Sequence, residues 1–261
     1  MDKPTGRMTD VIVGMGEVGT AIFDLLKEKI NCCGDDIDKQ KLRGELTGEV
    51  EFLHICIPFK TFHKFRETVE KKIAKYNPRA VVIHSTVEPY TTNSIQMYYA
   101  TTPIIYSPVR GVHIRFLQDL KRYTKFFACD IPVNNFVYHK FKERFKKIKQ
   151  TRSTLTCEMS KLLIDTTYYG YLINYAQMTK IICDKHKIDY DELWEFADEI
   201  NKYLGNRPKM FAGVIGGHCV LPNLELLESY EFNLPPNPLI KVTKNIKEIN
   251  KLFQNHLKQQ K

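Results

Sequence analysis

The feature that most constrains this chain is a set of three glycines at the spacing G-x-G-x-x-G near the N-terminus. The glycines follow the apolar run Asp10–Val13, which predicts a strand, and they open a segment of helical periodicity, Val18–Lys29. In this pattern the first glycine permits a tight turn, the second lets the backbone approach a pyrophosphate, and the third lets helix and strand pack closely. The alternative is a tight turn without a ligand. The motif consists of Gly14, Met15, Gly16, Glu17, Val18 and Gly19.

An acidic residue follows the next predicted strand, about 20 residues after the motif, which is the distance found in dinucleotide-binding units. This residue is Asp36. A carboxylate here can bind ribose hydroxyls and would repel a 2′-phosphate, so the pattern favours NAD over NADP. Asp35 and Asp38 are close neighbours that the sequence does not separate from Asp36.

The first half of the chain alternates short apolar runs with amphipathic segments, which is typical of a parallel sheet covered by helices. Helical periodicity is clear in Phe62–Ile73 and in a basic segment with Val137, Phe141, Phe145 and Ile148 on its inner face. We therefore predict an α/β fold with a doubly wound parallel sheet. The candidate strands are Asp10–Val13, Asn31–Asp35, Phe52–Ile57, Ala80–His84, Ile104–Tyr106 and Lys125–Cys129.

Helical periodicity replaces the strand signal from about Thr154 onward. Asp189 and Glu192 form an N-cap and capping-box pair that predicts a helix over Tyr190–Leu204. The tail from Lys241 is rich in lysine and has apolar residues at helical spacing. We predict two domains, with the sheet in residues 1–152 and helices in residues 153–261.

The composition limits the cellular compartment and the classes of binding partner that we expect. The seven cysteines are scattered and include no C-x-x-C pair, which argues against a disulfide framework or a zinc site and favours a reducing cytoplasm. No signal-like segment and no run of about 18 apolar residues is present, so we expect no membrane partner. The net charge of +9 and the lysine-rich segments suggest nucleic acid as a partner. Because those segments also have apolar helical faces, solvated helices are the favoured interpretation and no nucleic acid is expected.

A second glycine-rich segment, Gly213–Gly217, leads into His218 and Cys219. Small residues beside a thiol allow a ligand to approach, and a cation such as Lys161 or His218 would lower the thiol pKa. From these residues alone, a buried structural cysteine is the favoured interpretation.

For several other side chains the sequence allows both a functional and a structural interpretation. His84, at a strand end, is either an acid–base group or a hydrogen-bonded strand histidine. Arg110 and His113 lie in a loop after the fifth strand, where open α/β sheets bind ligands, and they are candidates for an anionic substrate or for ordinary salt bridges. The tyrosines on the long helix fit a binding stripe or, as the favoured interpretation, a buried helix or a subunit seam. They are Tyr168, Tyr169, Tyr171 and Tyr175.

Four segments in order resemble the UDP-glucose and UDP-N-acetylmannosamine dehydrogenase family, within the 6-phosphogluconate-dehydrogenase-like superfamily. They are the glycine motif with Asp36, Ser85–Pro89, Glu158–Leu163 and Gly216–Cys219. The resemblance implies a Rossmann NAD-binding domain, an all-helical substrate and dimerisation domain, and a homodimer.

The resemblance also implies roles for individual residues. Cys219 would add to an aldehyde intermediate, Lys161 would stabilise an oxyanion, and Thr86 would lie beside the nicotinamide or the active-site water. Pro58 and Ser85 would join the glycine motif in holding NAD, and His218 would join Arg110 and His113 in binding substrate.

Three positions depart from the family pattern. Val109 stands where the family has a water-activating glutamate, Asp165 where it has asparagine, and Asn223 where it has aspartate. The last two could be a compensating exchange within the catalytic set. These departures leave open a four-electron oxidation, a two-electron dehydrogenase or reductase, and a non-catalytic dinucleotide-binding or scaffold homologue.

Length adds one expectation. The family continues past its cysteine into a third domain that grips the nucleotide, whereas only about 38 residues follow Asn223, which is short for a domain. The sequence therefore favours a small, anionic or sugar-like substrate over a UDP-sugar.

Overall fold

The computed structural model describes residues 8–111, 113–132, 135–204, 211–216, 220–229 and 238–259. The chain divides into two compact units, residues 1–161 and residues 162–261. Among the described residues, no helix is both long and apolar enough to cross a membrane.

The first unit is built on a five-stranded parallel sheet with the strand order β2-β1-β3-β4-β5. A pair of short parallel strands, β6 and β7, joins the end of β5 through a bridge between Tyr106 and Ala128. The strands are β1 (Met8–Val13), β2 (Cys32–Asp35), β3 (Glu49–Ile55), β4 (Ala80–Ile83), β5 (Ile104–Tyr106), β6 (Lys125–Phe127) and β7 (Ile148–Gln150). The doubly wound sheet predicted from the sequence is confirmed.

Helices cover both faces of this sheet, which explains why apolar residues predominate on both faces of its strands. Alternate residues of the central strands, such as Ile12 and Phe52, pack towards α1, α4 and α5, whereas Val11 and Leu53 pack towards α2. The helices of this unit are α1 (Glu17–Leu26), α2 (Phe62–Tyr76), α3 (Thr91–Gln96), α4 (Phe116–Arg122), α5 (Asn135–Arg144) and α6 (Thr154–Met159).

The strand order places a switch point between β1 and β3. The chain passes from β1 to β2 on one side and then crosses to β3 on the other, with α1 and α2 on opposite faces. The loops that leave the carboxyl ends of β1 and β3 therefore diverge. In open α/β sheets the crevice between such loops is where ligands bind.

The prediction that the basic helix extends to Ile148 is wrong. Helix α5 ends at Arg144, and Ile148 begins β7, which pairs with β6 in the register Lys125 to Ile148. Phe141 and Phe145 are buried as expected. The three-residue strand is too short to produce a periodicity of its own, so the helical pattern of the preceding residues concealed it.

Helix α6 belongs to the first unit although the sequence placed it after the predicted boundary at residue 152. Cys157 lies in the apolar cluster of the sheet. Glu158 is fully buried and accepts hydrogen bonds from the backbone N–H groups of Tyr90 and Thr92, at 2.8 and 2.9 Å, at the start of α3. Burial raises the pKa of Glu158 to about 7, and these hydrogen bonds oppose that rise.

The second unit is helical in its described residues. After a π-helical segment, Ser160–Thr167, which spans the division between the units, come α7 (Tyr168–His186), α8 (Tyr190–Leu204), α9 (Val220–Ser229) and α10 (Pro238–Gln259). Ile173, Leu224 and Ile246 form its small apolar core. Helix α10 buries Ile246, Ile249 and Phe253, so the lysine-rich tail is an amphipathic helix with a solvated face.

Candidate functional site

Two glycines of the first motif are required by the backbone itself. Gly14 has a φ of +88°, and its N–H donates to the Asp35 carbonyl at 2.8 Å, which ties the end of β1 to β2. A Cβ on Gly19 would lie 1.9 Å from the Gly14 carbonyl oxygen. Any side chain at Gly19 would therefore push α1 away from the strand.

Gly16 differs from both, because a Cβ built on it meets no atom within 4 Å. It is the N-cap of α1, and no side chain caps the helix there. The second glycine thus borders open space at a helix start that has no side-chain cap, and the positive end of the helix dipole there favours an anion such as pyrophosphate. Its neighbours serve the fold, since Met15 packs on Gly34 and Val18 borders the apolar cluster.

The structure separates the three aspartates that the sequence left open. Asp35 is nearly buried, and its carboxylate accepts hydrogen bonds from Lys72 and Tyr76 of α2, at 2.5 and 2.7 Å. Asp38 accepts from the N–H of Gln40 and caps a short 3₁₀ turn. Asp35 is therefore nearly buried against α2 and Asp38 caps a turn, whereas Asp36 is bonded to the glycine motif itself and stays the candidate for a ribose.

Asp36 is held against the glycine motif. Its Oδ2 accepts a hydrogen bond from the N–H of Met15 at 2.6 Å, and its Oδ1 accepts one from the N–H of Asp38 at 2.9 Å. Partial burial raises the pKa of Asp36, but the hydrogen bonds from Asp38 and Met15 outweigh it, so the pKa falls below its usual value. An ionised carboxylate therefore stands at the end of β2, beside the turn.

The candidates after β3 and β4 lie at the same carboxyl edge. Pro58 is exposed and Thr86 is half-buried. Ser85 is nearly buried, and its hydroxyl donates to the Ile57 carbonyl at 2.6 Å, which links the loop after β3 to the end of β4. Ser85 thus holds the loop after β3 against the end of β4, and the Thr86 side chain is more exposed than that of Ser85.

The loop after β5 contains Val109, Arg110 and His113, which the sequence singled out. Val109 is 5% exposed and packs in the apolar cluster of the sheet, so it is an apolar core residue. Arg110 stacks its guanidinium over the rings of Tyr123 and Phe126, at 5.5 and 5.7 Å from their centroids. His113 begins a 3₁₀ turn, and its side chain lies outside the described residues.

A buried lysine that sequence reasoning missed lies beneath this loop. Lys125 donates to the carbonyl oxygens of Ser107 and Pro108, at 2.6 and 2.7 Å. Burial lowers its pKa to about 7, and the positive charges of Lys161 and Arg110 act in the same direction. The only signal in the sequence is a lysine at the start of an apolar strand. Two cations, Lys161 and Arg110, therefore act on this buried amine near the end of β5.

The remaining predicted catalytic residues belong to the second unit. Asp165 is half-buried in the π-helical segment, and Asn223 is 6% exposed on α9. Cys219 and His218 lie outside the described residues, so the nucleophile and its neighbour stay predictions. The π-helical turn itself is notable, because such turns are frequent at functional sites.

The segment before Cys219 is anchored by amides that the sequence did not reveal. Asn250 of α10 accepts from the N–H of Ile215 at 2.8 Å and donates to its carbonyl at 2.7 Å. Gln177 of α7 donates to the Gly213 carbonyl at 2.6 Å and to Asn250 at 3.1 Å. Both amide side chains are buried, so they hold this glycine segment much as a paired strand would.

A Rossmann-type doubly wound sheet followed by a helical unit is the class of fold that these elements define. Its solved neighbours include UDP-D-ManNAc dehydrogenase from Pyrococcus horikoshii, with a TM-score of 0.73 at 18% identity over 96% of this chain and 70% of that chain. A UDP-glucose dehydrogenase from Pyrobaculum islandicum matches with a TM-score of 0.73 at 13% identity, over 97% and 70% of the two chains.

A shorter neighbour matches almost end to end. The 3-hydroxyisobutyrate dehydrogenase of Mycobacterium tuberculosis has a TM-score of 0.65 at 12% identity, over 97% of this chain and 95% of that chain. No family model and no curated protein matches the sequence. The resemblance to nucleotide-sugar dehydrogenases is thus confirmed for the fold, and the same fold is shared with a hydroxyacid dehydrogenase.

Proposed function

We propose that this protein is an NAD-dependent dehydrogenase that oxidises an alcohol, or reduces a carbonyl, of a small anionic or sugar-like substrate. The observation that supports this most directly is the ionised Asp36 carboxylate, which Met15 and Asp38 hold beside the glycine turn. The open space at Gly16 supports it further, since the fold leaves that position clear.

The residues present fit a dinucleotide. The N-terminus of α1 at Gly16 and Glu17 would receive the pyrophosphate, and Asp36 would bind the ribose hydroxyls. When bound, the nicotinamide would accept or donate a hydride. The charge on Asp36 would repel a 2′-phosphate, which is the reason to propose NAD rather than NADP. Pro58, Ser85 and Thr86 would border the nicotinamide end.

The cations near the end of β5 support an anionic substrate. Lys161 and Arg110 both act on the buried Lys125, so positive charge gathers at this edge. Lys161 would stabilise an alkoxide or oxyanion, and Arg110, with His113 and His218, would hold the substrate's anionic group. Cys219 would be the covalent nucleophile, with Asp165 and Asn223 completing the catalytic set.

Two-electron chemistry is the form we propose, in which the Cys219 thiol would add reversibly to the carbonyl carbon, its proton passing to the carbonyl oxygen, and no thioester would form. Val109 is an apolar core residue, so the loop after β5 offers no carboxylate at that position to activate a hydrolytic water. A thioester at Cys219 would lack this base. Oxidation to the aldehyde or ketone, or the reverse reduction, requires only hydride transfer and proton transfer.

We also propose that the protein is a cytoplasmic homodimer. The described cysteines are all free thiols, which suits a reducing compartment. Five apolar side chains on α7 are 37% to 55% exposed and recur at intervals of three and four residues, the spacing of a helix–helix seam. A second copy presents the matching seam. These residues are Tyr168, Tyr171, Tyr175, Met178 and Ile182.

The test of the proposed function is cofactor binding by Asp36→Ala. Loss of two hydrogen bonds from the ribose should weaken NAD binding at least tenfold, about 1.4 kcal/mol. Calorimetric titration with NAD and NADP measures this change. Asp38→Ala is the matched control, because it removes an exposed carboxylate two residues away and should leave affinity within twofold.

Equal affinity in both variants and the unaltered protein would contradict the proposed cofactor site. Tight NAD binding without turnover of any hydroxyacid or sugar alcohol would instead favour the non-catalytic alternative. Turnover that survives both Cys219→Ser and Lys161→Ala would contradict the catalytic roles of those two residues.

A further inference from the structure

A row of polar side chains crosses the otherwise apolar layer between the first sheet and α5. Asp10 of β1, His54 of β3 and His84 after β4 are each at most 2% exposed. His54 Nε2 lies 3.1 Å from Asp10 Oδ2, and His54 Nδ1 lies 2.9 Å from His84 Nε2. His84 Nδ1 lies 2.8 Å from the Ser107 carbonyl oxygen. The cofactor site proposed above uses none of these side chains.

Each of these three separations is a hydrogen-bond distance and therefore needs one proton. The Ser107 carbonyl can only accept, so His84 Nδ1 must donate. Asp10 already accepts from Arg144 Nε at 2.6 Å and Nη2 at 2.7 Å, so its carboxylate is an acceptor for His54 Nε2 as well. Two neutral imidazoles carry one ring N–H each, and the bonds to the Asp10 carboxylate and the Ser107 carbonyl use both of them. Nδ1 of His54 and Nε2 of His84 would then face each other with lone pairs at 2.9 Å.

The surrounding charges agree with a third proton on the pair. Asp10 and Glu51 are acidic, and Arg144 pairs with both, at 2.6 Å from each. Burial raises the pKa of Asp10, but its bonds to Arg144 and His54 outweigh this and lower it. Asp10, Glu51 and Arg144 together carry one net negative charge, so one further positive charge makes this cluster neutral. Lys125 does not have to be charged to make its two hydrogen bonds, because a neutral amine has two N–H bonds for its two carbonyl acceptors. The positive charge can therefore come from the histidine pair.

Burial acts against that third proton. It lowers the pKa of His54 and of His84, and the charges of Lys125 and, at His54, of Arg144 add to this effect. The Asp10 carboxylate opposes the shift at His54. Because no other described residue hydrogen-bonds the inner nitrogens of this pair, removing the proton would leave two buried acceptors in contact, and this cost is what would hold the proton on the pair against burial.

We propose that Asp10, His54 and His84 hold three protons in the folded protein, one of them shared between the two imidazoles, and that this shared proton fastens the ends of β3 and β4 to each other. His84 directly precedes Ser85 and Thr86, and its ring holds Ser107, next to the loop of Arg110. The histidines are thus positioning residues for the carboxyl edge. This inference goes beyond the proposed function, and its test measures protons rather than turnover.

The test compares the unaltered protein with His84→Phe, which keeps a ring beside His54 and Phe145 but has no ring nitrogens. Unfolded histidines lose their charge near pH 6.5. Above that pH the folded protein would hold one proton more than the unfolded chain, so its stability should fall as pH rises. Relative to His84→Phe, the unfolding equilibrium constant should increase up to tenfold per pH unit between about pH 7 and 9.

Lys125 gives the opposite slope over this range, because its lowered pKa means that folding releases a proton. It is present in both proteins, so the comparison cancels it. His63→Gln removes an exposed histidine and should match the unaltered protein. Identical slopes in the unaltered protein and His84→Phe would overturn the proposal.

A second measurement does not depend on the variant folding. In ¹⁵N-histidine-labelled protein at pH 8, the two buried imidazoles should show three protonated-type ring nitrogens in total, with the shared proton exchanging slowly. Two unprotonated ring nitrogens, one on each buried imidazole, would overturn the proposal.

Discussion

The two glycine segments of this chain are held in place by different means. In the first, Gly14 and Gly19 fix the turn through the backbone, since a positive φ and a 1.9 Å approach exclude any side chain. In the second, Gly213 and Gly216 face no comparable backbone obstruction, because a Cβ on Gly213 meets only the Phe211 ring and one on Gly216 meets nothing within 4 Å.

The second segment depends instead on distant side chains. Asn250 pairs with both backbone groups of Ile215, and Gln177 binds the Gly213 carbonyl. The first segment is therefore specified locally, and a sequence pattern can describe it. The second is specified by two amides on α7 and α10, more than 30 residues away in the chain.

The largest effect that this comparison predicts is that of Gly19→Ala. The new Cβ would clash with the Gly14 carbonyl, and moving α1 would disturb the core beneath it, so unfolding should become easier by about 3 kcal/mol or more. Denaturant unfolding measures the change. Gly16→Ala is the control in the same motif, and its stability should stay within about 1 kcal/mol because the site is open. Equal losses in both variants would contradict a backbone origin for the turn.

The second prediction tests the other segment through Asn250→Ala. This change removes both bonds to Ile215 and leaves a buried N–H and carbonyl unsatisfied, so stability should fall by about 2 to 3 kcal/mol. Asn245→Ala makes the same change on an exposed position of α10 and should be nearly neutral. The same pair of variants can be compared for the reaction rate of Cys219 with a thiol reagent. If Asn250→Ala is as stable as Asn245→Ala, the amides do not hold the segment.

The fold could be predicted from the sequence because its signals are local or periodic. The strands β1 to β6 coincide with apolar runs, and α1 and α2 with amphipathic periods, although boundaries shifted by a few residues. The strand β7 was missed because Ile148 continued the helical spacing of Phe141 and Phe145. Three residues of strand have no pattern that could compete with that spacing.

The candidate site was predictable only in part. The glycine motif and the choice of Asp36 after β2 follow from spacing, but the contacts of its neighbours, Asp35 with α2 and Asp38 with a turn, are visible only in the structure. Lys125 and the Asp10–His54–His84 row bring together residues from different strands. Such groups leave no spacing signal in one sequence, because their neighbours are set by strand order.

The smallest effect expected is that of Gly213→Ala. Its Cβ would approach the Phe211 ring at 2.7 Å, but Phe211 is 57% exposed and can turn away, and the Gly213 φ lies outside the left-handed region. We expect a loss of stability below about 1 kcal/mol, several times smaller than for Gly19→Ala. A loss as large as that of Gly19→Ala would mean that the second segment, too, is fixed by its own backbone. Because Gln177 binds the Gly213 carbonyl rather than its Cα, the new methyl group should leave that hydrogen bond in place.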